Sequence, residues 1–311
     1  MSVSQHIQGT GTIEPPRVEE VADGAFAYIQ PDGTWWINNT GFLVGDGGVV
    51  AIDTCATEAR TRAYLDTIAC VSGGAPVRTL VNTHHHGDHT HGNYLFPAAT
   101  IVAQEKTRTE ILKYGIIERE LVWPGVDWGD LRAVAPFLTF TESITLHAGE
   151  IRAEVRHFGV SAHTSNDSVV WLPDQGVMFT GDLIFNGGTP FLLMGSPGGY
   201  LQALERLREF GAHTLVPGHG PVCGPDQIDV AAGYAAFVQE TALRGREAGL
   251  DPLSLARETD LGDFAALTDS ERLVGNLHSA YAELDGVDVD VFGALADMVA
   301  FNGGKPLSCR A

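Results

Sequence analysis

Positive charge is scarce in this chain. Lys and Arg number 19 against 39 Asp and Glu over 311 residues, a formal net charge of −20. Such a surface repels phosphate backbones and anionic headgroups, so nucleic acid and membranes are poor partners. Cysteine is also scarce: Cys55, Cys70, Cys223 and Cys309 are the only four. They form no CxxC pair and read as free thiols of a reducing compartment. No run approaches the ~18 apolar residues of a membrane span. Met1 to Pro16 has no basic segment followed by an apolar core. The expectation is a cytoplasmic chain without signal peptide or membrane span. What remains is ordinary for a globular protein with a sizeable core, 44% hydrophobic and 19% charged.

The order of apolar runs and turn residues points to an α/β chain. Residues 1–17 read as a polar lead-in. Strands are expected over Val21–Ile29 and Trp35–Val44, then a buried strand at Val49–Ile52 ending at Asp53. A helix over Thr57–Ile68 precedes a second buried strand, Val77–Asn82. Thr100–Ala103 and a helix from Glu105 to Tyr114 follow, and then a long aromatic-bearing loop over 114–136. Short strands return at Leu138–Phe140, Ile144–Leu146, Ile151–Phe158, Ser168–Leu172, Val177–Thr180 and His213–Val216. The stretch Gly199–Phe210 has one apolar helical face. From residue 226 the pattern turns helical, with Ile228–Leu243, Asp269–Leu284 and Val289–Ala300 expected as helices, the second capped near Thr268 or Asp269. The organisation is thus 1–17, a catalytic region 18–225 and a helical region 226–311.

The chemistry concentrates in Thr83-His84-His85-His86-Gly87-Asp88-His89-Thr90-His91-Gly92-Asn93, which begins where a buried strand stops. Imidazole and carboxylate are preferred ligands of borderline divalent metals. The spacing His84-x-His86-x-Asp88-His89 lets the first pair reach one ion and the second pair a neighbour. A solvated polar loop is the plainer alternative. His163, Asp182 and His219 also lie at expected strand ends beside small residues, and their joint occurrence with the cluster argues for a shared centre. A lone histidine fills many roles, so His6, His147, His157, His213 and His278 are read as ordinary core or surface residues.

This motif, with Asp53, His163, Asp182 and His219 in order, resembles the metallo-β-lactamase superfamily over residues 20–225. The resemblance implies a four-layer αβ/βα sandwich with a two-metal site on its edge and a helical C-terminal extension. It implies that His84, His86 and His163 hold one zinc ion, that Asp88, His89 and His219 hold the second, and that Asp182 bridges them. Asp53 would orient ligand imidazoles, with Thr83 beside it, and Asp88 would relay a proton. His85 and His91 match no ligand position. Iron or manganese suits the same donor set. Two such ions lower the pKa of a shared water and polarise a carbonyl, which suits an ester, thioester, lactone or lactam.

Asp182 narrows the substrate. The commonest β-lactamases of the superfamily carry cysteine there, so β-lactam hydrolysis is disfavoured. Lactonases of the superfamily carry tyrosine three residues later, where this chain has Phe185. Glyoxalase II resembles it in the THHHxDH segment but binds glutathione through basic C-terminal residues, whereas Asp285, Asp288 and Asp290 make this region acidic. Val122-Trp123-Pro124-Gly125-Val126-Asp127-Trp128-Gly129, Thr189-Pro190-Phe191, Asn276-Leu277-His278 and Phe301-Asn302-Gly303-Gly304 are similar to a branch of bacterial aromatic polyketide cyclase/thioesterases. That similarity implies an acyl substrate between Trp123, Trp128, Phe185 and Phe191, although each ring could equally be core. It also implies an acyl carrier protein partner, met through Arg244, Arg246, Arg257 and Arg272. A homodimer is compatible with the sequence. So is a non-enzymatic ligand-binding protein on a retained metal scaffold.

Overall fold

The computed structural model describes residues 13–117 and 119–311. Residues 1–12 of the expected lead-in and Glu118 lie outside the described residues.

Two sheets face each other. The first has seven strands in sequence order: β1 (Arg17–Ala22), β2 (Ala25–Ile29), β3 (Thr40–Gly45), β4 (Gly48–Ile52), β5 (Val77–Val81), β6 (Thr100–Gln104) and β7 (Leu138–Phe140). The second holds β8 (Ser143–Ala148), β9 (Ile151–His157), β10 (Ser168–Leu172), β11 (Val177–Phe185) and β12 (Thr214–His219), in the order β12-β11-β10-β9-β8. Antiparallel hairpins build β1–β4, and parallel pairing then carries the sheet through β5 to β7. The helices are α1 (Glu58–Val71), α2 (Gly87–Thr90), α3 (Glu105–Tyr114), α4 (Pro197–Glu209), α5 (Asp226–Ala248), α6 (Pro252–Glu258), α7 (Arg272–Asp285) and α8 (Val291–Phe301).

Three apolar interfaces make the layers. Ile29, Leu43, Val50 and Val81 meet Val155, Val170, Leu172 and Phe179 between the sheets. On the outer face of the first sheet, Phe42, Ala51 and Leu80 pack on Tyr64 and Ile68 of α1. On the outer face of the second, Val169, Met178 and Leu215 pack on Tyr200, Leu204, Leu207 and Ile228 of α4 and α5. Every residue of β4, β10 and β11 is buried, as strands covered on both faces must be. The result is the expected four-layer α/β sandwich. The C-terminal helices form a fourth cluster with Trp35, Trp36, Trp123 and Trp128. Among the described residues no helix is long and apolar enough to cross a membrane.

The structure corrects several expected boundaries. Trp35 to Asn39 are not strand; β3 starts at Thr40, and Trp36 takes a left-handed φ of 65°. The second C-terminal helix starts at Arg272, with Glu271 at its N-cap position; the Glu271 carboxylate does not cap the helix but accepts from Trp35 Nε1 at 2.7 Å, and Asp269 sits in a turn at φ 54°. The short α6, capped by Asp251 accepting from the Ser254 amide, was not expected. Strand β11 runs on through Asp182 to Phe185, so Asp182 lies inside a strand.

Candidate metal centre

The site forms where the C-terminal ends of β5, β11 and β12 converge at one edge of the sandwich. β5 stops at Val81, and the chain turns through His84–His86 into the single turn of α2, which carries Asp88 and His89. Asp182 lies where β11 slips register against β12, between Gly181 and Phe185. β12 comes so near that a Cβ at Gly218 would sit 1.9 Å from Asp182 Oδ1. Only glycine permits that approach.

The expected ligands come together as two groups that share one residue. Donor atoms of His84, His86, His163 and Asp182 lie within 4.8 Å of one another, as do those of Asp88, His89, Asp182 and His219. Asp182 Oδ2 is 3.3 Å from His219 Nε2 and 3.4 Å from His163 Nε2, and its Oδ1 is 3.0 Å from His89 Nε2. Asp88 Oδ2 faces His219 Nε2 at 3.3 Å. All of these residues are buried except His86, which is partly exposed in the cleft.

The far side of each ring fixes which nitrogen faces inward. His89 Nδ1 lies 2.8 Å from Asp53 Oδ2, His84 Nδ1 3.1 Å from Thr83 Oγ1, His163 Nδ1 2.5 Å from the Phe191 carbonyl and His219 Nδ1 3.1 Å from the Gly33 carbonyl. His86 is reversed, with Nε2 3.3 Å from the Met194 sulfur. A ring that donates from its outer nitrogen keeps a lone pair on the inner one, the tautomer a metal requires. The inner atoms, in turn, are poorly served by the protein. His84 Nε2, His89 Nε2 and Asp182 Oδ1 are buried without a hydrogen-bond partner, although the last two lie 3.0 Å apart. His86 Nδ1 and His163 Nε2 point at each other across 2.8 Å. Buried polar atoms are rarely left so. A pair of divalent cations answers all of them, so the residues fit such a pair.

The electrostatics agree. Burial, reinforced by neighbouring rings, pushes His84 and His86 well below the ordinary imidazole value, so both are neutral. Burial acts the same way on His89 and His219, but the carboxylates of Asp182 and Asp88 outweigh it, raising His219 to about 9. Burial would raise Asp88, and the His89 and His219 rings overcome it, holding the carboxyl below its usual range. The second group therefore attracts positive charge, and a cation there displaces protons.

Asp53 sits behind the ligands. Its Oδ1 accepts the Thr83 amide at 2.7 Å, and its Oδ2 accepts both Thr83 Oγ1 at 2.7 Å and the His89 ring. Two supports were not anticipated. Asn39 Nδ2 donates to the carbonyls of Pro217 and Gly220, fixing the strand end at His219. Asp167 accepts from the amide and hydroxyl of Thr164, fixing the turn that carries His163. The adjacent amides Asn38-Asn39 and the polar run Thr164-Ser165-Asn166-Asp167 after His163 were the available signals.

A cleft of about 710 Å³ opens over the ligands, walled by Trp35, Trp36, Trp123, Phe185, Phe191 and Arg272. Three of the four expected pocket aromatics line it. Trp128 does not: it packs behind Trp36, ring centroids 4.9 Å apart, against the Arg119 guanidinium. The long loop over 114–136 thus contributes Trp123 to the wall and Trp128 to its backing. His91 also backs Trp36, while half-buried His85 bonds Asn166. Arg272 is not surface charge. Its side chain is 2% exposed, its Nη2 is 2.9 Å from Asp269 Oδ2, and its guanidinium lies 4.3 Å from the Trp35 ring. Arg244, Arg246 and Arg257 are exposed, and Arg246 is paired with Asp285.

Residues 33–219 match the family model of the metallo-beta-lactamase superfamily. The chain belongs to that superfamily. It is 30% identical over 190 residues to a hydroxyacylglutathione hydrolase of Rhodospirillum rubrum, covering 60% of this chain and 64% of that protein. It is 30% identical over 172 residues to one of Methylococcus capsulatus, covering 54% of this chain and 56% of that protein. The chain thus spans between about half and two thirds of the length of these curated relatives. A metallo-beta-lactamase from Pontibacter korlensis shares the fold with a TM-score of 0.60 at 21% identity, covering 71% of this chain and 99% of that one.

Proposed function

We propose that this superfamily member is a metal-dependent hydrolase attacking the carbonyl of a thioester, ester or lactone with an apolar acyl group. The observation that carries this is the set of five ligand imidazoles, each tied by its outer nitrogen so that the inner one faces a shared aspartate. Two divalent cations there, zinc by family resemblance and iron or manganese by donor type, supply Lewis acidity toward a carbonyl and a water of lowered pKa. The protein's own residues do the rest. Asp182 spans both ligand groups. Asp88, at the cleft floor with Oδ2 facing His219, takes up a proton from the attacking water and returns it to the leaving group. The Trp35, Trp123, Phe185 and Phe191 walls hold the acyl group and exclude water.

Hydroxyacylglutathione hydrolysis is the second reading, favoured by the names of the relatives. Against it stands the groove beside the cleft, where Glu110, Glu283 and Asp288 face a single Lys113. That rim repels the carboxylates of glutathione. The aromatic walls also suit the acyl group of a polyketide cyclase/thioesterase, with an acyl carrier protein as partner and the cytoplasm as location. Any such carrier meets a surface that does not include Arg272.

The test is a metal-loaded protein offered apolar acyl esters, acyl thioesters and a hydroxyacyl-glutathione thioester. Turnover of the apolar acyl substrates with roughly 10²-fold loss in Asp88→Asn is expected. A loaded protein inert to the whole panel contradicts the hydrolase reading, and an unaffected Asp88→Asn variant contradicts the proton-transfer role of Asp88. Preference for the glutathione thioester supports the second.

A further inference from the structure

The cleft over the ligands does not end at the aromatic wall. A second chamber adjoins it and shares His86, Gly87 and Met194 as walls. Its lining is mostly apolar: Ile111 and Tyr114 of α3, Val134 of the long loop, and Phe292 and Leu295 of α8. Glu110 is the one carboxylate on the second chamber's wall, and the first chamber's cation, Arg272, is already paired with Asp269.

The mouth of the second chamber is apolar as well. Phe292, in the first turn of α8, is 78% exposed, and Tyr114, at the end of α3, is 39% exposed. The Tyr114 ring lies nearly parallel to that of His85, 6.4 Å between centroids. Large rings held at the lip of a cavity that leads to a reactive centre gain by burial against a ligand, at about 25 cal/mol per Å².

We propose that the two chambers are filled together, by a substrate with an apolar arm on each side of the reacting carbonyl. The acyl arm lies against Trp35, Phe185 and Phe191, and the second arm lies between Tyr114 and Phe292. The reacting carbon is then internal to the molecule, and the second arm is uncharged. This deepens the hydrolase reading above and rests on it for the position of the carbonyl, but the second chamber can be tested without turnover.

The neutral two-ring dye N-phenyl-1-naphthylamine is titrated against the full chain and against Phe292→Glu and Tyr114→Ser. Both positions are exposed, so circular dichroism and melting should be unchanged. Each variant is expected to weaken dye binding roughly fivefold or more. In parallel, methyl 2-naphthoate, whose one large arm is its acyl group, is compared with phenyl 2-naphthoate, which has a ring on each side of the carbonyl. Phe292→Glu should lower kcat/KM for the phenyl ester by about fivefold and leave the methyl ester within about twofold. Unchanged dye affinity in both variants, or equal loss on the two esters, overturns the second-arm assignment. Failure to hydrolyse either ester counts against the hydrolase reading alone, and the dye result then decides this one.

Discussion

Asp53 Oδ2 lies 2.8 Å from Nδ1 of His89, and the same carboxylate takes the Thr83 amide on its other oxygen. Asp53 holds this position at a left-handed φ of 59°, strained for a residue with a side chain. One carboxylate therefore ties the end of β4 to the turn after β5 and fixes the His89 tautomer.

It follows that Asp53→Ala should weaken metal binding without removing a ligand. The His89 ring loses its acceptor and is free to rotate or to protonate the wrong nitrogen. A loss of about 10- to 100-fold in metal affinity is expected. Competition against a chromophoric chelator measures it. Affinity equal to that of the parent would show that Asp53 serves only the backbone turn.

Asp182 is the residue common to both ligand groups. Removing its carboxylate takes a donor from each and leaves the facing rings of His89, His163 and His219 without their shared anion. Asp182→Ala should bring bound metal from two ions per chain to about one or fewer. Elemental analysis after dialysis reads this directly. Unchanged stoichiometry contradicts the bridging role.

These candidate ligands could be singled out in the sequence because they follow apolar strand runs beside glycine and small residues, which advertise a close backbone approach. Most strands were found for a related reason: runs such as Val49–Ile52 are apolar on both faces and have no other home. Asp182 was singled out as a candidate ligand but misplaced, because a strand that slips register at Gly181 looks like a strand that has ended. The role of Trp36 depends on a left-handed backbone and on contacts with Trp123 and Trp128 far along the chain, which no local pattern carries. Arg272 misled for the opposite reason. An arginine at the head of an amphipathic helix normally faces water, and only the packing of α7 against the cleft buries it.

Asp269 gives the chain a pH signature. Burial pushes its carboxyl up to about 6, against the pull of Arg272. The folded chain therefore keeps a proton that the unfolded chain has already released above about pH 4. The stabilisation is fully present below that value and is lost as pH rises through 6, an effect of about 3 kcal/mol at most. Urea midpoints of the metal-free protein at pH 4, 5, 6 and 7 should change less favourably with rising pH in the parent than in Asp269→Asn. Parallel profiles would show that the Asp269 pKa is the same in both states.

Arg272 and Asp269 also set up a test of what holds the cleft wall. The Arg272 guanidinium is enclosed by Trp35 and Phe185, donates from Nη1 to the Thr189 carbonyl and sits 2.9 Å from Asp269. Removing one member of a buried pair leaves the other charge unpaired, which typically costs 3–5 kcal/mol. Arg272→Leu should therefore lose about that much stability, and the double variant Arg272→Leu/Asp269→Leu should recover part of it. Denaturant unfolding, in chelator, of the parent, the single variants Arg272→Leu and Asp269→Leu, and the double variant gives the coupling. Additive losses would mean that the aromatic packing of Arg272, and not its charge, supports the wall. In that case Arg272→Met, which keeps the length and apolar stem, should be nearly as stable as the parent.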